Sequence, residues 1–244
     1  MADYYVETNE YNPIVLFFDE MHLLQSEKKR HIKTAETFAK KAQQFLSGVY
    51  ADIKAGRFLH EKADNEYVDD LIALYIAMVE SVDKTVVYDT DVNAKASRFA
   101  NQVQATNRRA IEGYSSPDEM AFSNAMLLGN PIAEELIPPY VGYKFLPDEY
   151  DGGYNWRAME IGMYETNWIY NYQRHKEKVE SGQTTHTWET MRDEKVRGSH
   201  AVADGQTVLI NEPFIVGGYR MMFPCDDSMG APPNETMGCR CLEL

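Results

Sequence analysis

Residues 184–205 read TTHTWETMRDEKVRGSHAVADG, and the character of the chain changes where this stretch begins. Its first seven residues are rich in threonine and include Trp188, a composition that is typical of a β-strand. The rest is a charged loop that closes on Asp204-Gly205, a pair that favours a tight turn. The stretch therefore predicts a strand and a charged loop at the start of a small β-rich region.

The flanking sequence extends this prediction in both directions. Downstream, short apolar runs at 208–210, 214–216 and 219–223 are separated by turn residues, which favours further short strands. Upstream, apolar residues at helical spacing begin after Tyr154 and continue to the charged residues that precede Ser181-Gly182. We therefore expect one long helix followed by the β-rich region.

The first 150 residues have the spacing of helices instead. Apolar periodicity and capping signals predict four helices in this region. The first begins at Ser26 and ends at Gly48 or Gly56, and the others cover 64–83, 91–113 and 116–129, with Asp91 as the cap of the third. A short strand is predicted at 86–88. Proline and glycine residues within 140–153 predict a linker. The expected fold class is α+β, with a mainly helical amino-terminal region, a long helix and a small β-rich carboxy-terminal module.

The expected organisation is an extended arm over 1–24, a helical region over 25–150 and an α+β module over 151–244. In the arm, Pro13 is expected to interrupt any early helix. Its aromatic residues are the candidate partner-binding residues Tyr4, Tyr5, Tyr11, Phe17 and Phe18. Two interpretations of the arm stay open: it packs on its own domain, or it docks on a partner subunit.

Length and composition restrict the class of protein. The chain has 244 residues, 44% apolar and 25% charged, which suggests one or two globular domains and excludes a disordered chain, a collagen or a coiled-coil rod. A net charge of −14 repels phosphate and disfavours general coating of nucleic acid, while leaving room for a local basic patch. The sequence shows neither a membrane-spanning apolar run nor the positive region of a signal peptide, so we expect synthesis in a cytoplasm and no membrane partner.

All three cysteines, Cys225, Cys239 and Cys241, lie near the end of the sequence. An odd number of thiols in a reducing compartment argues against a disulfide framework. Residues two apart on an extended segment point to one face, so Cys239 and Cys241 could hold a common zinc ion, with His200 and either Cys225 or Asp226 completing four ligands. Small thiols buried in a β-core are the competing and favoured interpretation. We expect no obligatory cofactor.

Three blocks of the last 90 or so residues carry a family resemblance. They are the helix residues Arg157-Ala158, Glu165-Thr166 and Asn171, the strand and loop from Trp188 to His200 with Asp204-Gly205, and the terminal Cys239-Arg240-Cys241. Together these blocks resemble the carboxy-terminal module of the phage Mu F-like head morphogenesis proteins, also called minor head proteins.

The resemblance implies a non-enzymatic structural protein of the bacteriophage virion. It implies a minor capsid protein that takes part in capsid assembly and lies at the portal vertex or in the capsid interior, in multiple copies per particle. The implied partners are the portal protein, the major capsid protein or both. Contact with packaged DNA is left open.

The same module is similar to small nuclease-like α+β folds, which implies an alternative. In that alternative the chain is a nuclease-like effector that is packaged in the head and delivered with the genome. A nuclease needs a general acid–base pair and a cation for the phosphate, and the candidates are His200, Arg197, Asp193 and Glu165. Structural roles explain the same residues: a loop salt bridge between Arg197 and Asp193, and a hydrogen-bonded core position for His200.

Overall fold

A computed structural model of the chain describes the fold. The described residues are 12–57, 61–82, 89–112, 131–133, 135, 137, 144–147 and 153–244. The predicted strand at 86–88, the predicted helix at 116–129, most of the predicted linker and the arm residues Tyr4, Tyr5 and Tyr11 lie outside the described residues.

The long helices precede the strands along the chain, in the α+β order that the sequence predicts, and two short helices lie between strands. The described helices are α1 (Pro13–Asp19), α2 (Gln25–Lys54), α3 (Glu61–Glu80), α4 (Thr90–Glu112), α5 (Trp156–Glu180), α6 (Gly198–Ala203) and α7 (Pro233–Thr236). The described strands are β1 (Thr185–Glu189), β2 (Thr207–Leu209), β3 (Phe214–Val216), β4 (Tyr219–Met221) and β5 (Leu242–Glu243). The predicted fold class is confirmed. Among the described helices, none is both long enough and apolar enough to cross a lipid bilayer.

Helix α2 ends at Lys54, close to the second of the two predicted glycines, and the cap of α4 differs from the predicted one. Helix α2 continues through Gly48, because its packed face continues beyond this position with a fully buried Val49 and a helical glycine costs only about 1 kcal/mol. Helix α4 is capped by Asp89 rather than by Asp91. Oδ1 of Asp89 accepts hydrogen bonds from the main-chain N–H groups of Asp91 at 3.1 Å and Val92 at 3.2 Å.

Contacts divide the chain into two compact units. One unit is Thr37–Ala158, and the other combines the residues up to Glu36 with Met159–Leu244. The predicted boundaries at residues 24 and 150 were based on composition, whereas this division is based on contacts. Its two division points fall within α2 and within α5.

The unit Thr37–Ala158 has a helical core. Along α2, Phe38, Ala42 and Leu46 recur at a spacing of four residues and are at most 1% exposed. Helices α3 and α4 pack on each other, and the rings of Tyr75 and Phe99 lie 5.1 Å apart between centroids. The core of this unit therefore follows the predicted helical stripes.

Residues 13–19 of the predicted extended arm are helical. Pro13 occupies the first turn, where its missing N–H group is not needed, and Oδ1 of Asn12 accepts a hydrogen bond from the N–H of Ile14 at 3.0 Å. The prediction of an extended arm is therefore wrong for residues 13–19, because Pro13 begins a helix there.

Phe17 and Phe18 differ in their surroundings. Phe18 is fully buried, and its ring lies 5.4 Å from that of His31 in an edge-on arrangement. Phe17 is half-buried, with its ring 6.2 Å from that of Tyr164. Phe18 therefore packs on its own unit, which agrees with the interpretation that the arm packs on its own domain. While α1 is packed in this way, the buried Phe18 cannot contact a partner.

The β-rich region contains a sheet and a hairpin. Strands β2, β1 and β5 form an antiparallel sheet with β1 in the centre, where Trp188 pairs with Glu243. The alternation along β1 buries His186 and Trp188 on one face. Strands β3 and β4 are joined through Gly217-Gly218, whose φ angles of 59° and 85° suit the tight hairpin turn that glycine permits.

Two buried asparagines on α5 bind the terminal segment. Nδ2 of Asn167 donates to the carbonyl oxygen of Cys239 at 2.7 Å, and Nδ2 of Asn171 donates to that of Cys241 at 3.2 Å. Oδ1 of Asn171 accepts the N–H of Glu243 at 3.1 Å. These side chains satisfy main-chain groups that the short strand β5 leaves unpaired, and so hold the terminal segment against α5.

Candidate functional site

The side chains of His200, Cys225, Cys239 and Cys241 come together in the carboxy-terminal module, and all four are at most 5% exposed. Nδ1 of His200 lies 3.4 Å from Sγ of Cys241 and 3.6 Å from Sγ of Cys239. Ligand atoms of these three residues all lie within 4.8 Å of one another. The thiol of Cys225 adjoins this group and donates to the main-chain carbonyl oxygen of Cys239 at 3.6 Å. We call these four residues the thiol–histidine cluster.

Three parts of the backbone supply the cluster. His200 lies on α6, and Cys225 follows β4 with a φ of 73°, an uncommon value for a residue other than glycine. Cys239 and Cys241 lie on one side of the terminal segment, while Arg240 between them pairs with a carboxylate elsewhere. This is the alternation that the Cys-x-Cys spacing predicts for an extended chain.

Asp226, the alternative fourth ligand of the sequence analysis, is engaged within its own loop. Its carboxylate accepts the N–H groups of Met222 and Ser228, each at 2.9 Å, and the hydroxyl of Ser228 at 3.0 Å. The structure therefore brings Cys225 to the cluster and uses Asp226 to shape the loop that presents it.

Two N–H donors point at the sulfur atoms. Nδ2 of Asn167 lies 3.3 Å from Sγ of Cys225, and the main-chain N–H of Cys241 donates to Sγ of Cys239 at 3.4 Å. Hydrogen bonds from N–H donors favour the anionic form of a thiol. Donors of this kind therefore prepare the sulfurs to act as thiolates.

The other side of the histidine ring faces a carboxylate. Nε2 of His200 lies 3.2 Å from Oε2 of Glu235, an ion-pair distance at an angle outside that of a good hydrogen bond. The same oxygen accepts the hydroxyl of Ser199 at 2.8 Å. A Cβ atom at Gly217 would lie 3.0 Å from the carboxylate of Glu235, so the carboxylate is closely packed. The ring of Trp188 meets His200 edge-on at 5.5 Å.

The protonation of the cluster follows from these contacts. Burial raises the pKa of Cys239, but hydrogen bonds from Cys225 and Cys241 and the interaction with His200 outweigh it and lower this pKa well below its ordinary value. The pKa values of Cys225 and Cys241 are raised by the hydrogen bond to Cys239 and by burial. Burial lowers the pKa of His200, yet the hydrogen bond and charge of Cys239 leave it raised. These directions favour the anionic form of the Cys239 sulfur and the protonated form of the His200 ring.

Such a sulfur is either a nucleophile or a ligand, and the surroundings favour the ligand. Cys239 is 2% exposed, and its sulfur contacts two thiols, an imidazole and a main-chain N–H group. A nucleophile needs an open side for its substrate, whereas a ligand is held from several directions.

The candidate catalytic residues do not assemble around a free base. Arg197 and His200 line one small pocket, and the guanidinium of Arg197 donates to the main-chain carbonyl of Met237. Both nitrogens of His200 face groups of the protein itself, so we assign it no general acid–base role. Glu165 lies on α5 and is 9% exposed.

Asp193 pairs with Arg240 rather than with Arg197. The two guanidinium nitrogens of Arg240 each lie 2.7 Å from one carboxylate oxygen of Asp193, and Nη1 lies 3.0 Å from Oε2 of Glu20. Hydrogen bonds from Arg240 hold the pKa of Asp193 below its ordinary value. The expected loop salt bridge of Asp193 thus exists with a different arginine.

A second buried group was not found from the sequence. Oε1 of Glu243 lies 2.9 Å from Nδ1 of His186 and 3.1 Å from Nδ1 of His175, and Nε2 of His186 lies 2.9 Å from the carbonyl oxygen of Glu212. Burial raises the pKa of Glu243, but the hydrogen bonds from the two histidines lower it overall. Since both nitrogens of His186 are engaged, we assign this group a structural role. The sequence gives one indication of this group: alternation along β1 places His186 on the same buried face as Trp188.

Taken together, a long helix, a small antiparallel sheet and a terminal Cys-x-Cys segment held on that helix define a compact class of α+β module. Residues 150–243 match the model of one protein family, described as Phage Mu protein F like protein. The match includes the whole thiol–histidine cluster, confirms the resemblance seen in the sequence and relates the chain to phage head proteins. Neither the curated proteins nor the solved structures compared with the chain gave a match.

Proposed function

We propose that this chain is a minor structural protein of a bacteriophage head, present in several copies at the portal vertex or in the capsid interior. The observation that carries the proposal is the family match over residues 150–243, because it spans the complete carboxy-terminal module. The portal protein, the major capsid protein or both are the proposed partners, and the virion is the proposed location.

The charge of the chain supports this proposal. A formal net charge of −14 gives a field that repels phosphate. A component that lies beside packaged DNA without coating it benefits from such a field. Any direct contact with DNA is therefore proposed to be local.

The test is quantitative mass spectrometry of purified mature particles, with the portal and major capsid proteins as internal standards. We expect the chain to be present at a stoichiometry close to that of the portal protein. Its absence from mature particles would contradict the proposed location. DNA cleavage by the purified chain, abolished in His200→Ala without a change in melting temperature, would support the nuclease-like effector instead.

The aromatic residues of the first segment are the proposed partner contacts, now without Phe18. The variant to test combines Tyr4→Ala, Tyr5→Ala and Tyr11→Ala, and we expect it to lose co-purification with the portal protein. Tyr219→Ala is the matched control, because Tyr219 is 42% exposed on the β3–β4 hairpin. Equal capture of both variants would rule out this contact.

A further inference from the structure

We propose that the thiol–histidine cluster binds a structural zinc ion through the sulfur atoms of Cys225, Cys239 and Cys241 and Nδ1 of His200. The proposal does not depend on the role of the chain in a phage head.

The distances match those of a zinc site. Zinc–sulfur bonds of about 2.3 Å and zinc–nitrogen bonds of about 2.05 Å place tetrahedral nitrogen and sulfur ligands about 3.6 Å apart. Nδ1 of His200 lies 3.4 Å from Sγ of Cys241 and 3.6 Å from Sγ of Cys239. The protein therefore already holds these ligands close to the separation that the metal requires.

The donor set selects the metal. Three thiols and one imidazole form a common ligand set of structural zinc, whereas magnesium and calcium prefer oxygen ligands. The chain has three cysteines, and all three lie in the cluster as buried free thiols.

The groups around the ligands have the positions expected of a metal centre. A histidine that binds a metal usually directs its other ring nitrogen at a carboxylate or carbonyl group, and Nε2 of His200 faces Glu235 at 3.2 Å. N–H donors from Asn167 and Cys241 point at sulfur atoms. These contacts orient the ligands from outside the cluster.

The backbone of Cys225 is a further sign. A φ of 73° is strained at a residue other than glycine and persists where the surrounding structure requires it. Here the unusual conformation places the sulfur of Cys225 3.6 Å from the main-chain carbonyl oxygen of Cys239. Backbone strain of this kind is typical of residues that bind a ligand or belong to an active site.

The enclosure of the ligands indicates a structural ion rather than a catalytic one. A catalytic zinc keeps an open coordination position, whereas these four ligands are 2–5% exposed. The ion would join α6, the loop after β4 and the terminal segment. Zinc would thus replace the disulfide that the odd thiol count disfavours.

The first experiment measures metal in the full-length chain, expressed with zinc in the medium and purified under reducing conditions without chelator. Elemental analysis is expected to find about one zinc ion per chain. Cobalt added to the metal-depleted chain is expected to produce thiolate-to-metal charge-transfer absorption and tetrahedral visible bands, which zinc then removes. A chain that holds no zinc and gives no such cobalt spectrum would overturn the proposal and leave three buried thiols.

The second experiment locates the ion. The double variant Cys239→Ser/Cys241→Ser is expected to lose the zinc, while the control His175→Gln, in the neighbouring histidine group, is expected to keep it. Retention of zinc by the double variant would place the metal elsewhere and overturn the assignment. Because the double variant can also unfold, thiol labelling of the unaltered chain is a separate check. All three thiols should react slowly before chelation and rapidly after it, and equal rates would contradict the proposal.

Discussion

His31 on α2 is a residue whose burial determines its charge. The ring is 1% exposed and stacks on Tyr170 with centroids 3.8 Å apart, while Nδ1 donates to the carbonyl oxygen of Glu27 at 2.7 Å. Burial lowers the pKa of His31 to about 4, although the hydrogen bond to Glu27 acts in the opposite direction. The ring is therefore neutral in the folded chain at neutral pH.

This pKa predicts how stability depends on pH. Between the ordinary value of 6.5 and about 4, the unfolded chain binds more protons at this position than the folded chain. The stability contributed by neutral His31 is thus complete above pH 6.5 and is lost as pH falls towards 4, by about 3 kcal/mol. His31→Asn keeps a donor for Glu27 without titrating, so urea unfolding should show a smaller loss over this range. The control is His22→Asn, at an exposed histidine, which should lose as much stability over this range as the unaltered chain. A loss reduced as much as in His31→Asn would contradict the prediction.

Glu235 is predicted to tune the proposed zinc site through His200. Glu235→Gln removes the charge beside Nε2 while keeping the size of the side chain, so zinc affinity should fall about 10- to 100-fold in competition with a chelator. Glu212→Gln is the control, because this exposed carboxylate lies outside the cluster. The same loss in both variants would show a general charge effect rather than a role in orienting the histidine.

The Cys-x-Cys spacing shows what can be read at the scale of residues. Alternation along an extended segment predicts that Cys239 and Cys241 share a face, and the structure places both in the cluster. The sequence could not show whether Cys225 or Asp226 joins the cluster. These residues are adjacent, and only the folded loop shows that Asp226 binds main-chain groups of the loop while Cys225 faces the cluster. The contact of Glu235 with His200 could not be predicted from any sequence pattern, because it depends on the position of Glu235 beside α6 in the folded chain.

At the scale of elements, Arg240 joins α1, the loop after β1 and the terminal segment. Its guanidinium binds Asp193 through two parallel hydrogen bonds and also contacts Glu20, while the side chain of Arg240 is only 8% exposed. A lysine cannot make the same two-point contact, because its ammonium group lacks the planar fork.

Arg240→Lys is therefore expected to lower the free energy of unfolding by about 1–2 kcal/mol. Arg192→Lys is the matched control, because Arg192 is 62% exposed beside Asp204 and solvent-exposed ion pairs contribute little to stability. Denaturant unfolding of both variants gives the comparison. Equal losses would mean that the two-point contact with Asp193 stabilises the fold no more than the exposed pair of Arg192 does.

Strands and long helices were predictable at this scale because their signals are local. The composition of β1 and the glycine after α5 predict these elements without reference to the rest of the chain. Pro13 was misread because proline both ends helices and begins them, and the difference depends on the cap at Asn12.

At the scale of the whole molecule, the described part of the first segment belongs to the unit that contains the β-rich region. A deletion of residues 1–11 leaves the cap of α1 and its buried side chains in place. A deletion of residues 1–20 removes the fully buried Phe18 and the carboxylate of Glu20 that contacts Arg240.

The two deletions are therefore expected to differ. The shorter one should leave the melting temperature within a few degrees of the full chain, and the longer one should lower stability by about 3–5 kcal/mol or more through the loss of Phe18 alone. Differential scanning calorimetry measures both. A longer deletion that melts like the full chain would show that α1 is not part of the folded core, and would make the whole segment available to a partner.

The sequence by itself determined the order of the long helices and the strands, the resemblance of the carboxy-terminal module to one phage protein family and the shared face of Cys239 and Cys241. These features depend on local spacing, which the chain carries in any context. Only the tertiary structure decided which unit α1 joins, which arginine binds Asp193 and which residues surround His200. Those contacts connect positions as far as 220 residues apart, and only the folding of the chain brings them together.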